Sequence, residues 1–217
     1  MRNSLTPTRK TSQKRTEEDS PDPSLLLSRR KPFLLLHICC GPCSTHVIDL
    51  LEDTYHPIGF FYNPNLHPKQ EYFRRLEAAA QVCGQHRVAL WVPPFGQEAW
   101  LDEVEGLGGE PEGGRRCNIC IRLRLEATAW VARAASMAAF ATTLTISPRK
   151  NSHVINTLGN DLSRSYGISF LEADFKKKDG FLKSVKKSRD MGLYRQDYCG
   201  CCYSMRGGSS PPEDHPG

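Results

Sequence analysis

The chain has 217 residues, 39% of them hydrophobic, and a formal net charge of +5. That length suits one buried core rather than several. No stretch approaches the roughly 18 apolar residues a membrane-spanning helix needs. No apolar segment follows the basic start as in a secretory signal, and Glu17, Glu18 and Asp19 argue against a transit peptide. The expected location is therefore the cytoplasm. Residues 1–30 and 207–217 are rich in Ser, Pro, Gly and charge without apolar periodicity, so they are expected to be disordered tails around a single domain at 31–206.

Residues 33–38 form a short apolar run that is expected to be a buried strand, closed by Gly41-Pro42. Cys39, Cys40 and Cys43 crowd its end, and Ser44 is expected to open a helix carrying Val47, Leu50 and Leu51. A strand running through a tight turn into a helix N-terminus puts thiols where partial positive charge gathers, which favours thiolate. A second strand is expected at 56–62, a helix at 71–85 and a third strand at 88–92. A short helix at 97–104 leads to a glycine-rich loop at 106–114, then a long helix at 117–139 and a fourth strand at 141–146. A further helix starts at 151–158, a short strand lies at 168–171, and a basic helix follows at 181–191. Strands alternating with helices predict an α/β fold with a mostly parallel sheet. In such sheets, sites form beyond the carboxyl ends of the strands, where Cys39, Asn63 and Ser147 are expected.

Nine clustered cysteines in a chain with no visible secretory signal point to metal or redox chemistry rather than a disulfide framework. Cys117 and Cys120 stand three apart, on one face of a helical turn, and suit either a metal or a redox disulfide. With Cys39 and Cys40 they make four thiolates, the complement of an iron–sulfur cluster or a structural zinc. Adjacent cysteines are an awkward arm for tetrahedral zinc, and Cys43 can replace either Cys39 or Cys40. In Cys199-Gly200-Cys201-Cys202 the glycine allows a strained, labile disulfide, or the group forms a further metal arm. Cys83 is expected to be a packed thiol, and His37 a hydrogen-bonded core histidine.

Asn63, His67 and Tyr72 follow the second strand and are expected to line the pocket. Arg115, Arg116, Arg122 and Arg124 surround Cys117 and Cys120. Thr142-Thr143 and 147–151 suit phosphate or ribose contact. Residues 176–189 hold seven Lys or Arg against Asp179 alone and, beside Phe175, Phe181 and Tyr194, fit a nucleic-acid backbone. No Gly-x-Gly-x-x-Gly follows a strand, so no flavin or nicotinamide fingerprint is present.

The stretches LLLHICCGPCS, FFYNPNLHPKQEYFRR, RRCNICIRLRLEATA, FATTLTISPRKNSHVIN, ADFKKKDGF and GLYRQDYCGCCYS, in this order, resemble the QueH-type epoxyqueuosine reductases over about residues 33–206. The resemblance implies an oxidoreductase that removes the epoxide oxygen of epoxyqueuosine at the wobble position of tRNA, fed by an external electron donor. It implies a 4Fe–4S cluster with Cys39, Cys40, Cys117 and Cys120 as matching positions. Cys199 and Cys201 match the family's Cys-Gly-Cys pair, as a redox-active disulfide or as ligands of an additional mononuclear iron. Cys202 departs from the pattern and is given no role, and the match leaves open whether Cys43 binds metal. The implied fold resembles the nucleotide-binding PP-loop (HUP-like) group, but that group's Ser-Gly-Gly-x-Asp-Ser is replaced here by CCGPCS, so ATP use is not expected. Competing readings are a PP-loop-like tRNA thiolation enzyme and a zinc-stabilised RNA-binding module.

Overall fold

Leu34, Leu35 and Leu36 have no exposed surface, because the strand that carries them is covered on both faces. In the computed structural model, which describes residues 31–205, this strand is β1 (Phe33–His37). The tails expected at 1–30 and 207–217 lie outside the described residues. β1 pairs in parallel with β2 (His56–Phe60) on one side and β4 (Ala139–Thr142) on the other. β3 (Leu90–Trp91) and β5 (Ser169–Phe170) are the edges of an all-parallel sheet ordered β3-β2-β1-β4-β5.

Successive side chains of a strand point to opposite faces, and the core divides accordingly. Leu34, Leu36 and Ile38 pack with Val47 and Ile48 of α1 (Gly41–Glu52) and Val82 of α2 (Lys69–Gln85). Leu35 packs on the other face with Phe140, Leu125 of α4 (Arg115–Ala134) and Ile155 of α5 (Ser152–Tyr166). The short α3 (Glu98–Glu103) comes between α2 and α4 in sequence, and α6 (Gly180–Asp190) packs against α1. No helix among the described residues is long and apolar enough to cross a membrane.

The alternation of elements is as expected, with boundaries moved for local reasons. α1 starts at Gly41, not Ser44. Pro42 occupies its first turn, where a missing N–H costs nothing, and Ser44 Oγ donates to the Gly41 carbonyl (2.7 Å) instead of capping. Cys43 therefore lies inside the helix. Only glycine allows this start: a Cβ on Gly41 would stand 2.5 Å from the Ala78 carbonyl oxygen of α2. β4 stops at Thr142 rather than reaching Ile146, because Thr142 Oγ1 accepts the Leu144 N–H (3.1 Å) and residues Thr143–Ile146 wind into a 3-10 turn. The helix expected to run to 139 ends at Ala134, with Ser136 left-handed (φ 53) as the chain turns into β4.

Candidate functional site

Cys39 follows the carboxyl end of β1, Cys40 is the N-cap of α1, and Cys43 stands in its first turn. Their three Sγ atoms lie within 4.8 Å of one another. Thr143 Oγ1 donates to Cys39 Sγ (3.3 Å) while accepting the Cys39 N–H (3.1 Å), and Gln196 Nε2 donates to Cys40 Sγ (3.0 Å). Hydrogen bonds from Cys40 and Cys43 hold Cys39 well below the usual thiol pKa. Cys40, which gives one of those bonds, is pushed up to about 12, and Cys43 is raised for the same reason. Within the triad, negative charge is thus favoured on Cys39, with Cys40 and Cys43 as its hydrogen-bond donors.

A second group forms on α4 and the chain after α6. Cys117, Cys120, Cys199 and Cys201 line a small cavity with Asn65, Trp100 and Arg116. The Gly113 N–H donates to Cys117 Sγ (3.2 Å), and Lys150 Nζ to Cys199 Sγ (3.3 Å). Burial opposes the charge on Lys150, but the neighbouring Cys199 and Cys120 together offset it, and its pKa is raised. Burial pushes the Cys120 thiol up, against the pull of the Arg124 guanidinium. All nine cysteines are free thiols.

The two groups adjoin. A larger cavity of about 230 Å³ is lined by Cys39, Cys43 and Cys199, and Cys199, Arg124 and Lys150 line both cavities. Its walls are apolar at Leu66, Leu144, Phe181 and Val185 and cationic at Arg75, Arg149 and Arg195. Arg116 and Arg124 are buried, and neither has a carboxylate partner among the described residues. Arg116 spends Nη1 on the carbonyls of Leu107 and Gly108, and Arg124 reaches the Cys120 carbonyl and Asn63 Oδ1. Around the second group, Trp100 Nε1 and Arg116 Nε are buried donors without a hydrogen-bond partner. Such orphans cost about 1–3 kcal/mol each. Soft thiolates, buried cations and unspent N–H groups together fit an anionic iron–sulfur group.

Other expected site residues fall in different places. His37 is a satisfied core histidine, with Nδ1 2.9 Å from Thr142 Oγ1 and Nε2 3.2 Å from the Tyr62 carbonyl; burial lowers its pKa to about 4. Cys83 is packed in the core. Asn63 lines the larger cavity and ties down the Ile38 carbonyl through Nδ2 (2.9 Å). Tyr72 does not line it; its ring packs on Phe61 and Phe95. His67 contributes backbone, its carbonyl accepting from Tyr198 OH (2.6 Å). Arg115 is exposed, and the exposed Arg122 faces Glu126. Thr142 and Thr143 are turned inward, onto His37 and Cys39, and offer nothing to a phosphate. Arg75, Trp100 and Gln196 escaped sequence reasoning, since nothing local to them announces a thiol or a strap many residues away.

A parallel α/β sheet with a thiol-lined crevice at its carboxyl edge places the chain in the PP-loop (HUP-like) type of fold. The U34-tRNA thiolase NcsA from Methanococcus maripaludis, solved with its 4Fe–4S cluster, shares that fold. The TM-score is 0.52 at 13% identity, over 82% of this chain and 62% of that one. Residues 34–207 match the family model described as epoxyqueuosine reductase QueH, and the chain belongs to that family. The epoxyqueuosine reductase QueH of Streptococcus pyogenes serotype M1 is 38% identical over 182 residues, 81% of this chain and 71% of that protein. That of Thermotoga maritima is 36% identical over 178 residues, 79% of this chain and 90% of that protein.

Proposed function

We propose that this chain reduces epoxyqueuosine to queuosine at the wobble position of tRNA. The reaction takes two electrons and two protons, breaks both epoxide C–O bonds and releases the oxygen as water. The chain carries no nicotinamide or flavin fingerprint, so an external donor supplies the electrons. Residues 31–206 carry the activity as a single domain, in the cytoplasm where tRNA is found. The observation that carries the reading is the meeting of seven cysteines in two adjoining groups, with Cys199 of the second group lining the larger cavity beside Cys39 and Cys43, in a chain belonging to this family.

In this reading Cys39, Cys40, Cys117 and Cys120 hold a 4Fe–4S cluster, and Cys199 and Cys201 act as a redox pair or hold an additional iron. When bound, such a cluster supplies electrons one at a time. Cys43 Sγ lies within 4.8 Å of those of Cys39 and Cys40, which favours a variant ligand set that includes it. The protein's own groups do the rest. Leu66, Leu144, Phe181 and Val185 exclude water from a base flipped into the cavity. Lys150 holds Cys199 Sγ by an ammonium hydrogen bond, and Arg75 fixes the backbone that carries that sulfur.

Iron and acid-labile sulfide on anaerobically purified protein, followed by turnover on tRNA carrying epoxyqueuosine, test the reading. Expected are about four irons and four sulfides per chain and formation of queuosine. A further iron assigns metal to Cys199 and Cys201. Colourless protein with one zinc, or ATP hydrolysis on adding tRNA, overturns the reading in favour of an RNA-binding module or a thiolation enzyme respectively.

A further inference from the structure

α6 is both a wall of the larger cavity and a basic surface element. Phe181, Ser184 and Val185 face the cavity. Its small residues seat it on α1. A Cβ on Gly180 would stand 3.4 Å from His46 Cδ2 of α1, and Ser184 Oγ donates to the Pro42 carbonyl in the turn between Cys40 and Cys43. Lys187 completes the seat by pairing with Asp49 of α1. The helix is therefore fixed relative to the cysteine triad.

The lysine run divides by role. Lys176 is spent on Asp174 (3.5 Å) and on the Lys150 carbonyl (3.1 Å), and Lys187 on Asp49. Lys177, Lys178, Lys183, Lys186 and Arg189 are exposed, and none has an ion-pair partner among the described residues, although Asp179 and Asp190 stand on the same segment. A solvated helix face usually interleaves both signs of charge to offset repulsion; here five cations stand against two carboxylates. Leu182, 63% exposed, sits among these cations at the head of the helix. Exposed Arg149 and Arg195 carry the positive charge onto the rim of the cavity.

We propose that the outer face of α6, with the turn before it, is a track for the RNA phosphate backbone flanking the nucleotide that enters the cavity. Lys177, Lys178, Lys183 and Lys186 take the phosphates, and Leu182 offers an apolar surface to a neighbouring base. The eleven-residue helix runs about 16 Å at 1.5 Å per residue, enough to meet more than one phosphate. Because the same helix lines the cavity, the track sets which nucleotide stands over Cys39 and Cys43. This rests on the proposed reductase reading, which supplies the polynucleotide.

The test is tRNA binding by the full-length, iron-loaded protein across a salt series, comparing wild type, Lys183→Gln/Lys186→Gln and the control Arg164→Gln. Loss of two phosphate contacts lowers the slope of log affinity against log salt by roughly 1.4, at about 0.7 per contact for single-stranded RNA. The expected affinity loss is roughly tenfold at low salt, with an unchanged visible spectrum and a control like wild type. Wild-type protein that fails to bind tRNA overturns the reductase reading. Wild-type binding with an unchanged slope in the double variant overturns this track alone. An unchanged slope with slower reduction by an acidic protein donor also overturns it, and assigns the face to the donor.

Discussion

The guanidinium of Arg75 grips the backbone beside Cys199: Nη1 donates to the Cys199 carbonyl at 2.9 Å and Nη2 to the Tyr198 carbonyl at 3.2 Å. Its third handhold is Glu71, paired through Nε at 2.6 Å, and Tyr194 OH donates to that carboxylate's other oxygen at 2.6 Å. Both charged residues are buried. Removing one partner of such a pair leaves an uncompensated charge and costs about 3–5 kcal/mol. Arg75→Met should lose stability on that scale by urea unfolding. Arg75→Lys keeps the charge but not the fork; it should unfold less readily than the methionine variant yet alkylate Cys199 several-fold faster than wild type. An unchanged alkylation rate would show that Arg75 does not position this sulfur.

Gly200 adopts φ +114, a conformation side chains rarely tolerate, and a Cβ there would meet Leu66 Cδ2 at 2.5 Å and Arg75 Nη1 at 2.8 Å. Gly200→Ala should cost on the order of 2 kcal/mol and lower the iron retained after reconstitution. Gly106→Ala is the comparison. Its φ is +71 but nothing lies within 4 Å, so it should cost less and leave iron content alone. Equal iron loss in both variants would place the defect in backbone strain generally.

Trp100 is 1% exposed, and its N–H is unspent beside the cavity that holds Cys120. Trp100→Phe deletes an orphan donor while keeping a ring, so stability should change by no more than about 1 kcal/mol. N–H groups facing cluster sulfurs raise the reduction potential; the variant's midpoint, read by spectroscopic titration, should fall. An unchanged midpoint would mean that this N–H faces no cluster sulfur.

Cys83, far from the site, gives the clearest pH signature. Burial raises its pKa from 9.0 to about 11. Between those values the unfolded chain releases a proton that the folded chain keeps. The contribution is therefore fully present below pH 9 and lost as pH rises through 11. Two units correspond to about 3 kcal/mol at most. Urea midpoints measured from pH 8 to 11 should fall less steeply in Cys83→Ala than in wild type. Parallel profiles would show that the thiol titrates normally in the fold.

What the sequence made legible was whatever is local. The apolar run at 34–36 announces a central strand because both of its faces are covered, and the three cysteines after it announce the crevice because parallel strands end at sites. The partition of the thiols was not legible. Cys43 reads in the sequence as a substitute for Cys39 or Cys40; with Pro42 in the first turn the helix starts before it, and its sulfur joins both in the triad. Tyr72 looked like a pocket residue because it follows β2, yet the aromatic company of Phe61 and Phe95 drew it into the core. Arg75 could not be read at all. Its meaning lies in carbonyls more than a hundred residues away, and a Glu–Arg pair at i, i+4 is ordinary on any helix.

Cys199 belongs to the wall of both cavities, so with Arg124 and Lys150 it forms the partition between two rooms. A group bound in either room would lie against the same side chains. Under the proposed reductase reading, substrate and redox centre would meet at that shared surface. A partition built of aliphatic side chains would have kept the two rooms ignorant of each other.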